Sequence, residues 1–345
     1  MTNLKTISSL VGFYTTELQN KIHTNLTLTL ENSGSVSVNS GVNKEHSCLT
    51  TQFPSSQSDE KCLQYIKSDI QAIVCDMLGV DKSYLYMYGD RELVESEIGQ
   101  INEKIIRYRN GEPLAYILGY KYFWDQKLRV TQDTLIPRAD TEVLVETILE
   151  SIGNNKDQYL RDSGSGSGNS DVLKEKDTLK ILDLGTGTGA IALALAGELQ
   201  DAEITAVDFS VKALVVAKEN AVSNNIANVR FIQSDWYEAL DGMKFDIIVS
   251  NPPYIDNSDS DIDAEVKAYE PTSALFADDN GLSDIAKIIS QAQNFLVENG
   301  SVYIEHGYTQ STSVHAIFKK YGFVDVETIK DFNGRDRCTK ANKVF

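Results

Sequence analysis

The chain has 345 residues, 41% hydrophobic and 24% charged, with a formal net charge of −18. This is enough apolar material for a full core and about two domains, and the acidic balance disfavours a DNA footprint, which needs clustered Lys and Arg. Apolar runs such as Ala190 to Ala196 fall far short of the ~20 residues a membrane span requires, and no secretory signal pattern is seen, so we expect a cytoplasmic protein; a monomer is expected as well.

Four cysteines without C-x-x-C spacing and four histidines predict neither a disulfide framework nor a metal site. Residues 1–115 are expected to form a helical domain. Residues 5 to 22 place Ile7, Leu10, Val11, Tyr14 and Leu18 near helical spacing, and a stripe resumes from Leu63 through Leu78 with Gly79 as its cap. Another helix is predicted over Val94 to Arg109, with Gly111 and Pro113 as stop signals. Between the first two, about residues 21–59, the composition of Asn, Ser, Thr and Gly predicts a disordered insertion.

Residues 116–138 are a connector, in which Tyr122-Phe123-Trp124 and Leu128-Arg129-Val130 predict a hairpin across Asp125-Gln126-Lys127. Residues 139–345 form the third region. Asp140 and Glu142 open a helix to Ser151, where their expected role is capping, and residues 154–177 carry the composition of a flexible linker. Strands then alternate with helices. The strands are Lys180 to Leu184, Glu203 to Val207, Val229 to Gln233, Phe245 to Ser250, Ser301 to Glu305, Val324 to Ile329 and Lys340 to Phe345. The intervening helices are Ala190 to Leu199, Val211 to Ser223, Leu282 to Val297 and Gln310 to Tyr321. The alternation predicts an α/β fold, a doubly wound, mostly parallel sheet of seven strands.

In such sheets ligands bind beyond the carboxyl ends of the strands. The first strand runs into Gly185-Thr186-Gly187-Thr188-Gly189, a turn that lets a ligand approach the backbone. Asp208 ends the second, where a carboxylate accepts from ribose hydroxyls, and Asp235-Trp236 follows the third, where an indole packs on adenine and a carboxylate accepts from its amine. The fourth ends in Asn251-Pro252-Pro253-Tyr254. Prolines lack N–H groups, which leaves the carbonyls of Asn251 and Pro252 free to accept from a guest. A planar NH2 group fits: the Asn251 side-chain carbonyl and the Pro252 carbonyl each take one N–H, and Tyr254 stacks on the flat face.

From about Ile70 to Thr339 the sequence resembles S-adenosylmethionine-dependent methyltransferases of the HemK/PrmC type, which methylate a glutamine side-chain amide. The resemblance rests on Gly111-Glu112-Pro113, Leu135-Ile136-Pro137-Arg138, Asp140-Thr141-Glu142, the glycine loop, Ser234-Asp235-Trp236, Asn251 to Asp256, Glu270-Pro271 and Glu305-His306-Gly307. It implies a Rossmann-like methyltransferase sheet with S-adenosylmethionine on Gly185, Thr186, Gly187, Thr188, Gly189, Asp208, Asp235, Trp236 and Asn251. Asn251, Pro252, Pro253 and Tyr254 are the implied glutamine contacts, with Asn251, Pro252 and Tyr254 catalytic. The implied partner is a peptide chain release factor, methylated in its Gly-Gly-Gln motif. Two alternatives share the chemistry: ribosomal protein L3 as substrate, and a DNA adenine amino group.

Overall fold

The computed structural model describes residues 5–32, 59–154, 178–259, 262 and 264–344. The chain divides into two compact units, Met1–Gly119 with Asp261–Tyr269, and Tyr120–Ser260 with Glu270–Phe345.

The first unit is helical: α1 (Ile7–Asn32), α2 (Asp59–Leu78), α3 (Lys82–Met87), α4 (Glu95–Arg109) and α5 (Leu114–Leu118), joined by Ala264–Tyr269, here α9 in chain order. Its core forms because Leu10, Leu18, Ile66, Ile70, Ile73, Ile101 and Ile105 recur at helical spacing and are removed from water. Glu112 pairs with Arg107 through two hydrogen bonds of 2.8 and 2.5 Å, which fixes the turn after α4. Two expectations change. Helix α1 continues to Asn32, well into the segment from about residue 21 read as disordered, because each residue added to a nucleated helix gains a backbone bond even where composition is polar. The rest of that insertion, 33–58, and the linker residues 155–177 lie outside the described residues. Residues 116–118, read as connector, complete a short helix, Leu114–Leu118, closed by left-handed Gly119.

The second unit opens with a hairpin, β1 (Tyr120–Phe123) and β2 (Gln126–Arg129), paired from Tyr120↔Arg129 to Phe123↔Gln126. Its turn is the dipeptide Trp124-Asp125, shifted from the three residues expected, and Trp124 adopts φ 51°. Tertiary bonds hold that turn: the Trp124 N–H donates to Glu142 at 3.0 Å and its indole to Glu198 at 2.7 Å.

Helix α6 (Glu142–Asn154) leads to β3 (Lys180–Leu184), α7 (Ala190–Glu198), β4 (Glu203–Asp208), α8 (Val211–Ser223), β5 (Val229–Gln233) and β6 (Phe245–Ser250). A two-residue ladder, β7 (Ile255–Asp256) with β8 (Phe276–Ala277), precedes α10 (Ser283–Phe295), β9 (Leu296–Glu305), α11 (Ser311–Lys320), β10 (Val324–Lys330) and β11 (Asp336–Asn342). The seven-stranded sheet has the order β10-β11-β9-β6-β3-β4-β5, parallel except for the reversed β11. The final strand therefore lies upstream of the span expected, Lys340 to Phe345. Each face carries its own core, because successive side chains point to opposite sides: Ile181, Ile247 and Val249 on one, Leu182, Leu184 and Ile248 on the other. Helix α7 is apolar and buried all round from Ala190 to Ala196.

After β3 the chain winds outward through β4 and β5, then returns to place β6 on the other side of β3. This reversal of strand order opens a crevice at the carboxyl ends of β3 and β6. Leu184 pairs with Ser250, so Gly185 and Asn251 leave the sheet side by side.

Candidate active site

The crevice holds a cavity of about 460 Å³ lined by Gly185, Gly187, Asp208, Phe209, Ser234, Asp235, Trp236, Asn251 and Pro253, with Gln132 to Leu135 along one wall. The loop after β3 is built as an inlet. Gly185 and Thr186 donate N–H groups to the Val207 carbonyl, both at 2.8 Å, which pins the loop to the end of β4. Gly187 has φ +55°, and a Cβ there would meet nothing within 4 Å, so this stretch of backbone is open to a guest. Gly189 differs: its Cβ would press on Leu193 at 3.1 Å and Ala217 at 3.3 Å, so this glycine serves the packing of α7 against α8.

The Asp208 carboxylate receives the Gly187 N–H at 2.9 Å and the Ser210 N–H at 2.8 Å. Burial pushes its pKa up against these two bonds. Trp236 stands across the cavity at φ 50°, close behind Gly185, and its indole lies beside Asp284, whose ionised form it favours. Asp235 is tied to Lys287 at 2.7 Å.

At the β6 end, Asn251 donates its amide N–H to the Thr141 hydroxyl at 3.1 Å. That bond turns the amide and leaves its carbonyl oxygen for the cavity. Pro252 is buried, and Pro253 lines the cavity. Tyr254 packs its ring against the second core and donates its hydroxyl to Glu305 at 3.2 Å. Glu305 is 1% exposed, and burial raises its pKa to about 7 against the lowering effects of the Thr141 and Tyr254 hydroxyls and Arg337.

The motif is also held from behind. Gln310 donates to the backbone carbonyls of Tyr254 at 2.9 Å and Asn280 at 3.0 Å, and accepts the Gly307 N–H at 2.8 Å. Buried Glu270 binds the Arg138 guanidinium at 2.5 Å and the Ile136 N–H at 3.1 Å, which fixes the segment leading to Thr141.

The structure brings together Gly185, Gly187, Asp208, Asp235, Trp236, Asn251 and Pro253 of the residues marked in the sequence. Others face elsewhere. The Thr186 hydroxyl is spent on Asp183 at 2.6 Å, the Thr188 carbonyl accepts from Asn220 at 2.9 Å, Gly189 packs between helices, and the buried Tyr254 hydroxyl anchors its ring away from the cavity. The two acids read as helix caps are neither. Asp140 pairs with Arg337 at 3.2 Å, and Glu142 holds the hairpin turn. His306 is fully buried: Nδ1 donates to the Gly307 carbonyl at 2.9 Å and Nε2 faces the Thr339 hydroxyl at 2.8 Å, so burial keeps the ring neutral and structural. Sequence reasoning missed Thr141, Asp284, Lys287 and Gln310 as partners of the site. Glu305 carried one signal, an acid ending an apolar strand.

Comparison with known proteins decides the family. Residues 162–270 match the methyltransferase small domain and residues 61–119 the PrmC N-terminal domain. The chain is 57% identical over 275 residues to the release factor glutamine methyltransferase of Francisella tularensis, covering 80% of this chain and 90% of that protein. The chain belongs to the release factor glutamine methyltransferase family. The members from Salmonella typhimurium and Escherichia coli are 40% and 38% identical, each covering 79% of this chain and 91% of the relative. As in the rest of the family, the enzyme is an S-adenosylmethionine-dependent methyltransferase. The site suits that cofactor: an open glycine backbone, an acid at the end of β4 and an indole wall match a methionine moiety, a ribose and an adenine in turn.

Proposed function

We propose that this enzyme methylates the side-chain amide nitrogen of the glutamine in the Gly-Gly-Gln motif of a peptide chain release factor. In this reading Asn251 and Pro252 hold the amide and Pro253 shapes the wall beside it. The observation that carries it is the Asn251 to Thr141 bond, which engages one Asn251 N–H on the protein side and presents its carbonyl as an acceptor.

S-adenosylmethionine, when bound, supplies an electrophilic methyl group on a sulfonium sulfur. Asp208 takes the ribose hydroxyls, Trp236 and Asp235 flank the adenine, and Gly185 and Gly187 give the backbone room. The glutamine amide is a weak nucleophile because its lone pair is delocalised into the carbonyl. Two acceptors, the Asn251 Oδ1 and the Pro252 carbonyl, fix the plane of its NH2 group so that the nitrogen faces the methyl carbon, and such orientation is the help a weak nucleophile most needs. As the N–C bond formed, the methyl C–S bond of the sulfonium would break and S-adenosylhomocysteine would leave with the electron pair; the nitrogen would then be strongly acidic and would give its proton to water. No base from the protein is required, consistent with the two engaged nitrogens of His306.

Among the described residues no helix is long and apolar enough to cross a membrane. The test is incubation with labelled S-adenosylmethionine and, in separate tubes, a release factor, ribosomal protein L3 and duplex DNA, followed by mapping of the labelled residue. Label on the Gly-Gly-Gln glutamine of the release factor is the expected result. Label confined to L3 or to adenine overturns the assignment.

A further inference from the structure

Asn251 and Tyr254 lie three residues apart in the motif, yet both lead to one carboxylate. Ser250 pairs with Ile304, so Glu305 stands at the level of Asn251 on the neighbouring strand. The Thr141 hydroxyl accepts from Asn251 at 3.1 Å and lies beside Glu305, whose ionised form it favours as a donor, while the Tyr254 hydroxyl donates to Glu305 Oε1 at 3.2 Å. A carboxylate at 1% exposure is costly to bury, and Oε2 has no hydrogen-bond partner among the described residues. A side chain placed there for stability alone would be apolar or fully bonded.

We propose that Glu305 is the positioning residue of the Asn-Pro-Pro-Tyr motif, orienting Asn251 through the Thr141 hydroxyl and anchoring Tyr254 directly. The proposal rests on the reading of Asn251 as acceptor for the substrate amide. A hydroxyl that donates to a carboxylate keeps its lone pairs for incoming N–H groups, so an ionised Glu305 forces Thr141 to accept from Asn251. The Asn251 amide then cannot flip, because the flipped form sets its carbonyl oxygen against a lone pair. Protonation of Glu305 reverses this: its O–H needs an acceptor, competes for the Thr141 or Tyr254 oxygen, and releases the amide.

The groups facing Glu305 are Tyr254 from the loop after β6, Arg337 and Cys338 from β11, and Asp140 and Thr141 from the turn before α6. Arg337 favours the ionised form and Asp140 opposes it, and Arg337 is itself shared between Asp140 and Asp331 at 3.2 Å each. The carboxyl therefore changes state near neutrality, about pH 7, with the orienting form on the alkaline side.

The test uses the full chain with S-adenosylmethionine and an intact release factor, in single turnovers, comparing Glu305→Gln, Thr141→Val, the double variant and Thr141→Ser. Glu305→Gln and Thr141→Val are each expected to lose about 30-fold or more in rate, with cofactor affinity by calorimetry within about threefold of wild type. The double variant should be no more than about threefold slower than the worse single one, because both act through the same amide. Thr141→Ser, which keeps the hydroxyl, should restore most of the rate. The wild-type rate should fall below about pH 7 and that fall should vanish in Glu305→Gln. A Glu305→Gln rate within about threefold of wild type, or independent multiplying losses in the double variant, overturns the proposal. Should Glu305→Gln fail to fold, the Thr141 pair decides: equal rates in Thr141→Val and Thr141→Ser overturn it. An Asn251→Ala control separates the two levels, since a near-normal rate there removes the acceptor reading itself, whereas its loss alongside a normal Glu305→Gln removes only the role of Glu305.

Discussion

The Asp208 carboxylate already accepts from the Gly187 and Ser210 backbone N–H groups, so it shapes the glycine loop as well as lining the cavity, where we propose that it meets the ribose. Replacing it with Ala removes the ribose acceptor and loosens Gly187 together, and should cost about 1 to 3 kcal/mol of cofactor affinity by calorimetry. Unchanged affinity would take Asp208 out of the site. Asn251→Ala acts on a different step. Cofactor should still bind, but the substrate amide loses its acceptor and kcat should drop about 100-fold or more. Asp183 gives a prediction about stability. It is fully buried with its pKa raised to about 7, chiefly by desolvation, and Oδ1 has no hydrogen-bond partner among the described residues. The folded protein binds this proton more tightly than the unfolded chain, so the contribution is fully present below the ordinary carboxylate pKa and is lost as pH rises through about 7. Asp183→Asn carries no such titration. Urea unfolding of the pair across about pH 4 to 8 should show wild type losing stability relative to Asp183→Asn as pH rises, and parallel curves would refute the assignment.

Three consecutive residues, Asp279, Asn280 and Gly281, adopt positive φ of 58°, 56° and 78°, a left-handed turn directly behind the motif. Left-handed backbone costs L-residues roughly 1 to 2 kcal/mol each, so the turn persists because its surroundings hold it. Gln310 grips the Asn280 and Tyr254 carbonyls together, and Asn257 bonds Asp278 at 2.8 Å. A Cβ on Gly281 would sit 2.0 Å from the Tyr254 carbonyl oxygen. Gly281→Ala must therefore push the motif aside. We expect a kcat loss of about tenfold or more and destabilisation of about 1 to 3 kcal/mol, read by single-turnover rate and by urea unfolding. A variant with normal rate and stability would mean that the turn yields without moving Tyr254.

The sheet order determines why chemistry gathers at one edge of the second unit. Strands β3, β4, β5 and β6 all deliver their carboxyl ends to the same side, and the reversal between β3 and β6 leaves the crevice uncovered by a crossover. Substrate recognition belongs to this scale as well. A glutamine side chain alone offers few atoms to bind, so an enzyme acting on one residue of a folded protein draws binding energy from remote surfaces and spends it on orientation. A short peptide containing Gly-Gly-Gln should accordingly show a kcat/KM lower by about 100-fold or more than the intact release factor, and equal values would place all recognition within the motif.

The sequence by itself determined the strands of the parallel core and the residues at their ends. Each of these strands is a short, mostly apolar segment, and a glycine loop, an acid or a Pro-Pro turn closes it within a few residues, so the signal is local. For that reason Lys180–Leu184, Val229–Gln233 and Phe245–Ser250 stand where periodicity placed them, with Gly185, Asp208, Trp236 and Asn251 around one cavity. Tertiary structure alone decided what holds those residues. Thr141 lies 110 positions from Asn251, Tyr254 lies 51 from Glu305, and Gln310 lies 56 from the carbonyl it supports. Such pairs depend on strand order and register, which apolar patterning does not encode. The same reason moved Asp140 and Glu142 from helix caps to long-range partners, because a carboxylate pairs with whichever donor the packed chain brings nearest, and only the fold brings Arg337 and the Trp124 N–H within reach.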